Sequence, residues 1–260
     1  MLENKRLVYL SSSSILFISI IFALLVGSGM YGYGIDFWSS YYKHNLDWGG
    51  VFDRLGYKVA TLSIYGNHIG VQVTTFILSL SVGFLIKEHL KSKSNYSFFL
   101  FLFLFLIAIH TWPIIMSTSN AMRQGIAMSF IFLALISSKN KNYILLIIYC
   151  VIAIFIHKSG LILSAIVAIA TTTNNIFKVF NLNNKWLLHF FSGIILLILF
   201  YFSIPFYLDI DGPTKIIEGD FRVVFVLISF AYVILSLFSK NLVTGSINLS
   251  SFYFSFISLP

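Results

Sequence analysis

Over 260 residues the chain is 58% hydrophobic and only 10% charged, where a soluble domain carries roughly a quarter charged residues. Runs such as "SFFLFLFLFLIAI" and "SGIILLILFYF" are too long and too apolar for half-buried strands, which leaves an all-α, polytopic transmembrane helical bundle. The net charge of +8 has no soluble basic domain to hold it, so it points to orientation in a bilayer and not to nucleic acid.

Measured against a ~20-residue crossing, the apolar runs predict helices in chain order. Leu7–Val26 comes first, with Lys5 and Arg6 ahead of it. The following "VGSGMYGYG" makes a poor cleavage site, so this helix is expected to be retained and not removed as a signal peptide. An extracytoplasmic loop over about residues 27–68 then carries "YGYGIDFWSSYYKHNLDWGGVFDRLGYKVATLSIYGN", whose Tyr, Trp and Gly content suits a segment at headgroup depth. Ile69–Ile86 and Phe98–Met116 come next, with a bend expected where His110 and Trp112 stand beside Pro113. Ala121–Ser137 follows, and after it two short spans, Tyr143–Ile156 and Gly160–Thr173. Cys150, the one cysteine, lies in "IIYCVIAIF" and is expected to pack as a small apolar residue. Beyond come Trp186–Tyr207, an acidic loop "LDIDGPTKIIEGD" over about 208–220, and Phe221–Phe238. Ile247–Pro260 stops before it completes a crossing. The expectation is one integral membrane domain, 1–260, with about eight or nine spans and an incomplete C-terminal end.

The charges test that layout. With the N-terminus cytoplasmic, the inner side holds Lys5, Arg6, Lys87, Lys91, Lys93, Lys139, Lys141, Lys178, Lys185 and Lys240 against only Glu3 and Glu88. On the outer side Lys43, Arg54, Lys58, Arg123, Lys158, Lys215 and Arg222 are balanced by seven acids. All of the net charge falls inside, as the positive-inside rule requires. At ~1.5 Å per residue, Tyr143–Ile156 reaches only about 21 Å, short of a ~30 Å hydrocarbon core. A single helix from Tyr143 to Thr173 would carry Lys178 and Lys185 outside, so a kinked hairpin with His157 near its outer tip fits the charges better.

"STSNAMRQGIAMSFIFLAL" opens an apolar helix with Arg123 and Gln124. "STSN" offers N-cap residues, and a helix from about Ala121 puts Arg123 in a first turn that is already positive. An Asp or Glu would be more stable there. A helix N-terminus, hydroxyls and an arginine fork together form an anion site; the alternative is an arginine snorkelling to lipid headgroups. His157 can act as a donor or a base toward a phosphate or a hydroxyl, or can cap a helix end. Lys158 is a second phosphate contact or a headgroup lysine. Ser159 is expected to N-cap the next helix and not to serve as a nucleophile, because no base–orienter pair accompanies it. "DID" is a weak metal motif, and there is no Walker loop, Rossmann glycine pattern or Cys/His spacing, so neither a cofactor nor a metal is expected.

"NAMRQGIAMSFIFLAL", followed some thirty residues on by "IFIHKSGLI", resembles the Asn-x-x-Arg-Gln-x-x-Ala and His-x-Ser-Ala elements of the EpsG-like family. Members of that family are grouped with the Wzy-type polymerases of O-antigen, capsule and exopolysaccharide. "YGYGIDFWSSYY" and "FDRLGYKVATLSIYGNHIGVQ" are similar to its Gly-x-Asp-x-x-x-Tyr segment and second conserved stretch, so the likeness runs from about Ile35 to Ala168. Gly160 stands where the family usually has Ala.

The resemblance implies an extracytoplasmic glycosyltransferase in the bacterial inner membrane, using undecaprenyl-diphosphate-linked oligosaccharide as donor and acceptor. It would work beside a flippase and a chain-length regulator. It further implies that Arg123 grips the donor diphosphate, that His157 serves phosphate or acceptor, and that Asp36, in the family's Asp position, is the first candidate base, with the outer-loop pair Asp209 and Asp211 second. Gln124, Asn120, Lys158, Ser159 and Asp211 are the substrate-binding candidates. A transporter or flippase of the same lipid-linked saccharide, and an inactive remnant, are the alternative functions.

Overall fold

The computed structural model describes residues 2–34, 37–42, 54–65, 67–91, 97–119, 121–157 and 159–180. Asp36, Asn120, Lys158 and Asp211 lie outside these, as do the expected segments Trp186–Tyr207, 208–220, Phe221–Phe238 and Ile247–Pro260. The chain divides into two compact units, Met1–Ser164 and Ala165–Pro260; in the second, residues 165–180 continue one helix.

The described chain is mostly helical. Its helices are α1 (Leu2–Gly27), α2 (Arg54–Ala60), α3 (Gly70–Lys91), α4 (Phe98–Ile109), α5 (Trp112–Ser119), α6 (Met122–Lys139), α7 (Tyr143–Ile156) and α8 (Ser159–Phe180). A π-helical turn, Phe37–Tyr41, and a two-residue hairpin, β1 (Ser63–Ile64) with β2 (Asn67–His68), complete the set. Leu10–Gly27 and Gly70–Lys91 are long and apolar enough to cross a membrane, with mean hydropathies of 2.2 and 1.5. Phe17, Leu24, Phe99, Phe103 and Ile144 face outward although apolar. Outward-facing apolar side chains on these helices suit contact with lipid.

Two packing seams fix the directions of the helices. Along the first, Gly27 lies against the Gln72 side chain, Ile15 against Gly83, and the Lys87 amine donates to the Ser12 hydroxyl, so α1 and α3 are antiparallel. Along the second, the Lys139 amine donates to the Glu88 carbonyl, so α3 and α6 run in the same direction. A tight turn with Lys141 at φ 60 then reverses the chain, and the Asn142 side chain accepts from Leu145 N to start α7. The ends of α1 and α7 therefore meet the starts of α3 and α6 at one pole. Lys87, Lys91 and Lys139 gather at the other, with Glu88 3.6 Å from Lys91.

The core is built by helical spacing. Phe101, Phe105 and Ile109 recur every fourth residue of α4 and are fully buried, while Phe99 and Phe103 face out. Gly83 admits Ile15 and the Phe105 ring, which a Cβ would meet. Where one helix is expected from Phe98 to Met116, the structure has two, and the break falls at His110–Thr111. Pro113 has no N–H to offer the Ile109 carbonyl. Around the break, His110 Nδ1 pairs with Leu106 O at 2.8 Å and Thr111 Oγ1 donates to Ala108 O at 2.8 Å. α5 returns the chain to α6 at close quarters: a Cβ on Gly125 would overlap the Ser117 carbonyl.

Candidate functional site

Helix α6 begins at Met122, with Ala121 at its N-cap and no hydrogen bond from that side chain. The expected role of "STSN" as a cap is not what the structure shows. Ser117, Thr118 and Ser119 are buried in the last turn of α5, where Thr118 Oγ1 and Ser119 Oγ donate to the Ile115 carbonyl at 2.6 and 3.4 Å. The Thr118 and Ser119 hydroxyls thus donate within α5 and do not cap α6. Arg123 does stand in the first turn of α6, half-buried, where the helix field is positive. Its Nε donates to Tyr41 Oη at 3.4 Å. Gln124 is half-buried beside it.

Tyr41 is held from several directions. Phe37 and Tyr41, four residues apart on the π-helical turn, are both 4% exposed, and Tyr42 N donates to Phe37 O at 2.8 Å. Phe37 stacks on Tyr33 at 4.4 Å and meets the His68 ring edge-on at 5.0 Å. Gly34 N donates to Ser119 O at 3.4 Å, which fastens the entry of the turn to α5. Tyr33 in turn donates to Gly27 O at 2.6 Å, and burial pushes its phenol up from the ordinary tyrosine range. The Tyr57 ring of α2 lies 6.2 Å from that of Tyr41, and Tyr57 Oη donates to Ser40 O at 3.2 Å. On the other side of the turn Trp38 and Tyr42 are exposed.

The same loop reaches the histidine. Gly56 of α2 sits directly on the Ile156 carbonyl, where any Cβ would overlap it, so α2 docks on the last turn of α7. His157 follows in extended conformation, its N–H on Ala153 O at 3.1 Å. Gly160 N donates to His157 O at 2.7 Å, and Ser159 N donates to His157 Nδ1 at 3.1 Å. Ser159 is thus the first residue of α8 and not its N-cap. Its hydroxyl pairs with His157 Nδ1 at 2.7 Å, and the histidine side chain closes the helix start.

Arg123, Gln124, His157 and Ser159 accordingly stand at one pole, joined through the loop between α1 and α3. Tyr41, Tyr57 and Gly56 make that junction and were not legible as site residues. Among the described residues no group of three or more His, Cys, Asp or Glu is placed to hold a metal ion.

A family model, EpsG family, matches residues 8–259. The chain belongs to the EpsG family. No curated protein and no solved structure matches it. The match extends on both sides of the region from Ile35 to Ala168 that holds the motifs, and membership associates the chain with polysaccharide-related glycosyltransferase chemistry. For an EpsG-family chain the arrangement at Arg123 is chemically specific. A guanidinium held at Nε by a buried phenol is restricted in the planes it can adopt, and recognition of a phosphate by paired N–H groups depends on that plane.

Proposed function

We propose that this EpsG-family chain polymerises undecaprenyl-diphosphate-linked oligosaccharide repeat units into O-antigen, capsule or exopolysaccharide. It does so on the outer face of the bacterial inner membrane, as a multi-pass protein of about eight or nine spans with its N-terminus inside. The observation that carries the reading is the Arg123 guanidinium, half-buried in the first turn of α6 and tied to Tyr41, at the pole to which His157 also belongs.

In the reaction a hydroxyl of one lipid-linked saccharide attacks the anomeric carbon of another. The C–O bond to the diphosphate breaks, and undecaprenyl diphosphate leaves carrying that electron pair. Arg123 and Gln124, with Asn120 and Lys158 in the adjoining segments, bind the departing diphosphate, where a preorganised cation in a dry site acts on the developing charge. Asp36 takes the proton of the attacking hydroxyl. Ser159 serves the saccharide through His157, whose ring it holds. The flippase that delivers the substrate and the regulator that sets chain length are partners of the same pathway.

The test is Arg123→Lys and Arg123→Ala in cells, with membrane abundance and the polysaccharide ladder measured together. Both variants are expected at normal abundance with single repeat units in place of long chains, because a lysine point charge does not reproduce a fork. Long chains from Arg123→Ala would make the arginine a headgroup anchor. Lipid-linked units stranded on the inner leaflet would identify a flippase instead.

A further inference from the structure

His157 has two nitrogens, and the hydrogen-bond pattern decides which carries the proton. The N–H of Ser159 is a donor with no alternative role, and it points at His157 Nδ1 from 3.1 Å. A second donor is available at the same atom, the Ser159 hydroxyl at 2.7 Å. A proton on Nδ1 would set N–H against N–H at van der Waals distance and would leave the first N–H of α8 without an acceptor. Ser159 is 5% exposed, so water does not relieve that conflict. An imidazolium suffers the same clash and adds a cation to the positive end of a 22-residue helix.

We infer that His157 is locked as the neutral tautomer with its proton on Nε2, and that in the reaction proposed above it is a hydrogen-bond donor to substrate oxygen and not a proton acceptor. Nδ1 is engaged by the start of α8, and Nε2–H has no lone pair in the ring plane with which to take a proton. The hydroxyl proton of the acceptor saccharide therefore goes to another group. His157 donates to an anionic or polar oxygen: a diphosphate oxygen or a sugar hydroxyl. Ser159 is a positioning residue, acting through the histidine. Its backbone N–H suffices for the lock, so Ser159→Ala keeps the tautomer and Ser159→Pro, which removes the N–H, does not. The geometry that holds the ring comes from the chain itself: the extended His157 backbone, the Gly160 N–H on its carbonyl and the close passage of Gly160 over Ala153.

Two measurements test this. The first is ¹⁵N NMR of histidine-labelled protein in lipid nanodiscs, with the His157 signals assigned by their loss in His157→Gln. The expected result is an unprotonated Nδ1 and a protonated Nε2, unchanged in Ser159→Ala. A proton on Nδ1, or on both nitrogens, overturns the inference. The second compares chain growth in membranes from His157→Gln and His157→Asn. A glutamine amide places an N–H near the position of Nε2 but accepts no proton, so His157→Gln is expected within about tenfold of the unaltered rate, the scale of one displaced hydrogen bond. His157→Asn, whose amide lies near Nδ1, is expected to make single units only. A base would be lost equally in both, at about 10²–10⁴-fold, and equal loss in two variants present at normal abundance overturns the donor role. Because the NMR result needs no substrate, it stands or falls independently of the polymerase reading, which rests on Arg123.

Discussion

Arg123 and Tyr41, 82 residues apart in sequence, are joined by a hydrogen bond from the guanidinium Nε to the phenol oxygen. The donor comes from the first turn of a bundle helix and the acceptor from a short turn in the loop after α1. Arginine has rotatable bonds along its whole stem, so a guanidinium with no such tie would sample many planes. Tyr41 removes part of that freedom before a ligand arrives, which lowers the entropy lost on binding.

Tyr41→Phe therefore keeps the ring packing against Tyr57 and removes only the oxygen. Chain growth in isolated membranes is expected to slow by about tenfold, equivalent to ~1.4 kcal/mol and consistent with one hydrogen bond to a charged group. The thermal midpoint of the purified protein should hardly move, because the ring stays buried. A rate equal to that of the unaltered protein would show that the phenol does not position the arginine. Tyr42→Phe, at the exposed neighbour, is the control.

Gly160→Ala is expected to destabilise the protein. The added Cβ would overlap the Ala153 carbonyl and press on Ile154 N, both of them backbone atoms that cannot rotate away. Overpacking of that kind costs about 1–3 kcal/mol, to be seen as a lower midpoint in a thermal-shift assay in detergent. The substitution restores the residue that the resembling motif usually carries. An unchanged midpoint would mean that the α7–α8 turn opens readily.

Orientation is checked by reporter fusions. Fusions after Asn120 or His157 are expected to read as extracytoplasmic, and fusions after Lys141 or Lys185 as cytoplasmic. A cytoplasmic signal after Asn120 would put Arg123 on the wrong side for polymerisation and end that reading.

The long apolar helices were legible because their signal is local. Tyr143–Ile156 falls where the apolar run puts it, while α1 starts five residues before its expected bound and α3 ends five residues after. The expected bend at Pro113 became a full break, since the side chains of His110 and Thr111 supply donors to the Leu106 and Ala108 carbonyls and so let α4 end there. "STSN" misled because Ser and Thr serve a helix end as readily as a helix start, and only the position of α5 separates the two. Tyr41 was invisible for a different reason. It stands beside Tyr42 in "SSYYKH", and nothing in six letters tells which phenol turns inward. That follows from its spacing to Phe37 on a turn with a π-helical register, and from a partner 82 residues away.

The lysines at the opposite pole carry a consequence for biogenesis. On the proposed orientation, Lys87 and Lys139 are among the cations that hold segments back on the cytoplasmic side while the chain is being inserted. Once the bundle has assembled, the same amines are ties between helices, Lys87 to Ser12 and Lys139 to the Glu88 carbonyl. Each charge is used twice, first by the insertion machinery and afterwards by the fold. A Lys139→Gln chain would therefore meet two separate hazards in succession. More molecules would insert with the wrong hand, and those inserted correctly would have a looser seam between α3 and α6, so one substitution would yield two populations, separable by protease access from the two sides of the membrane.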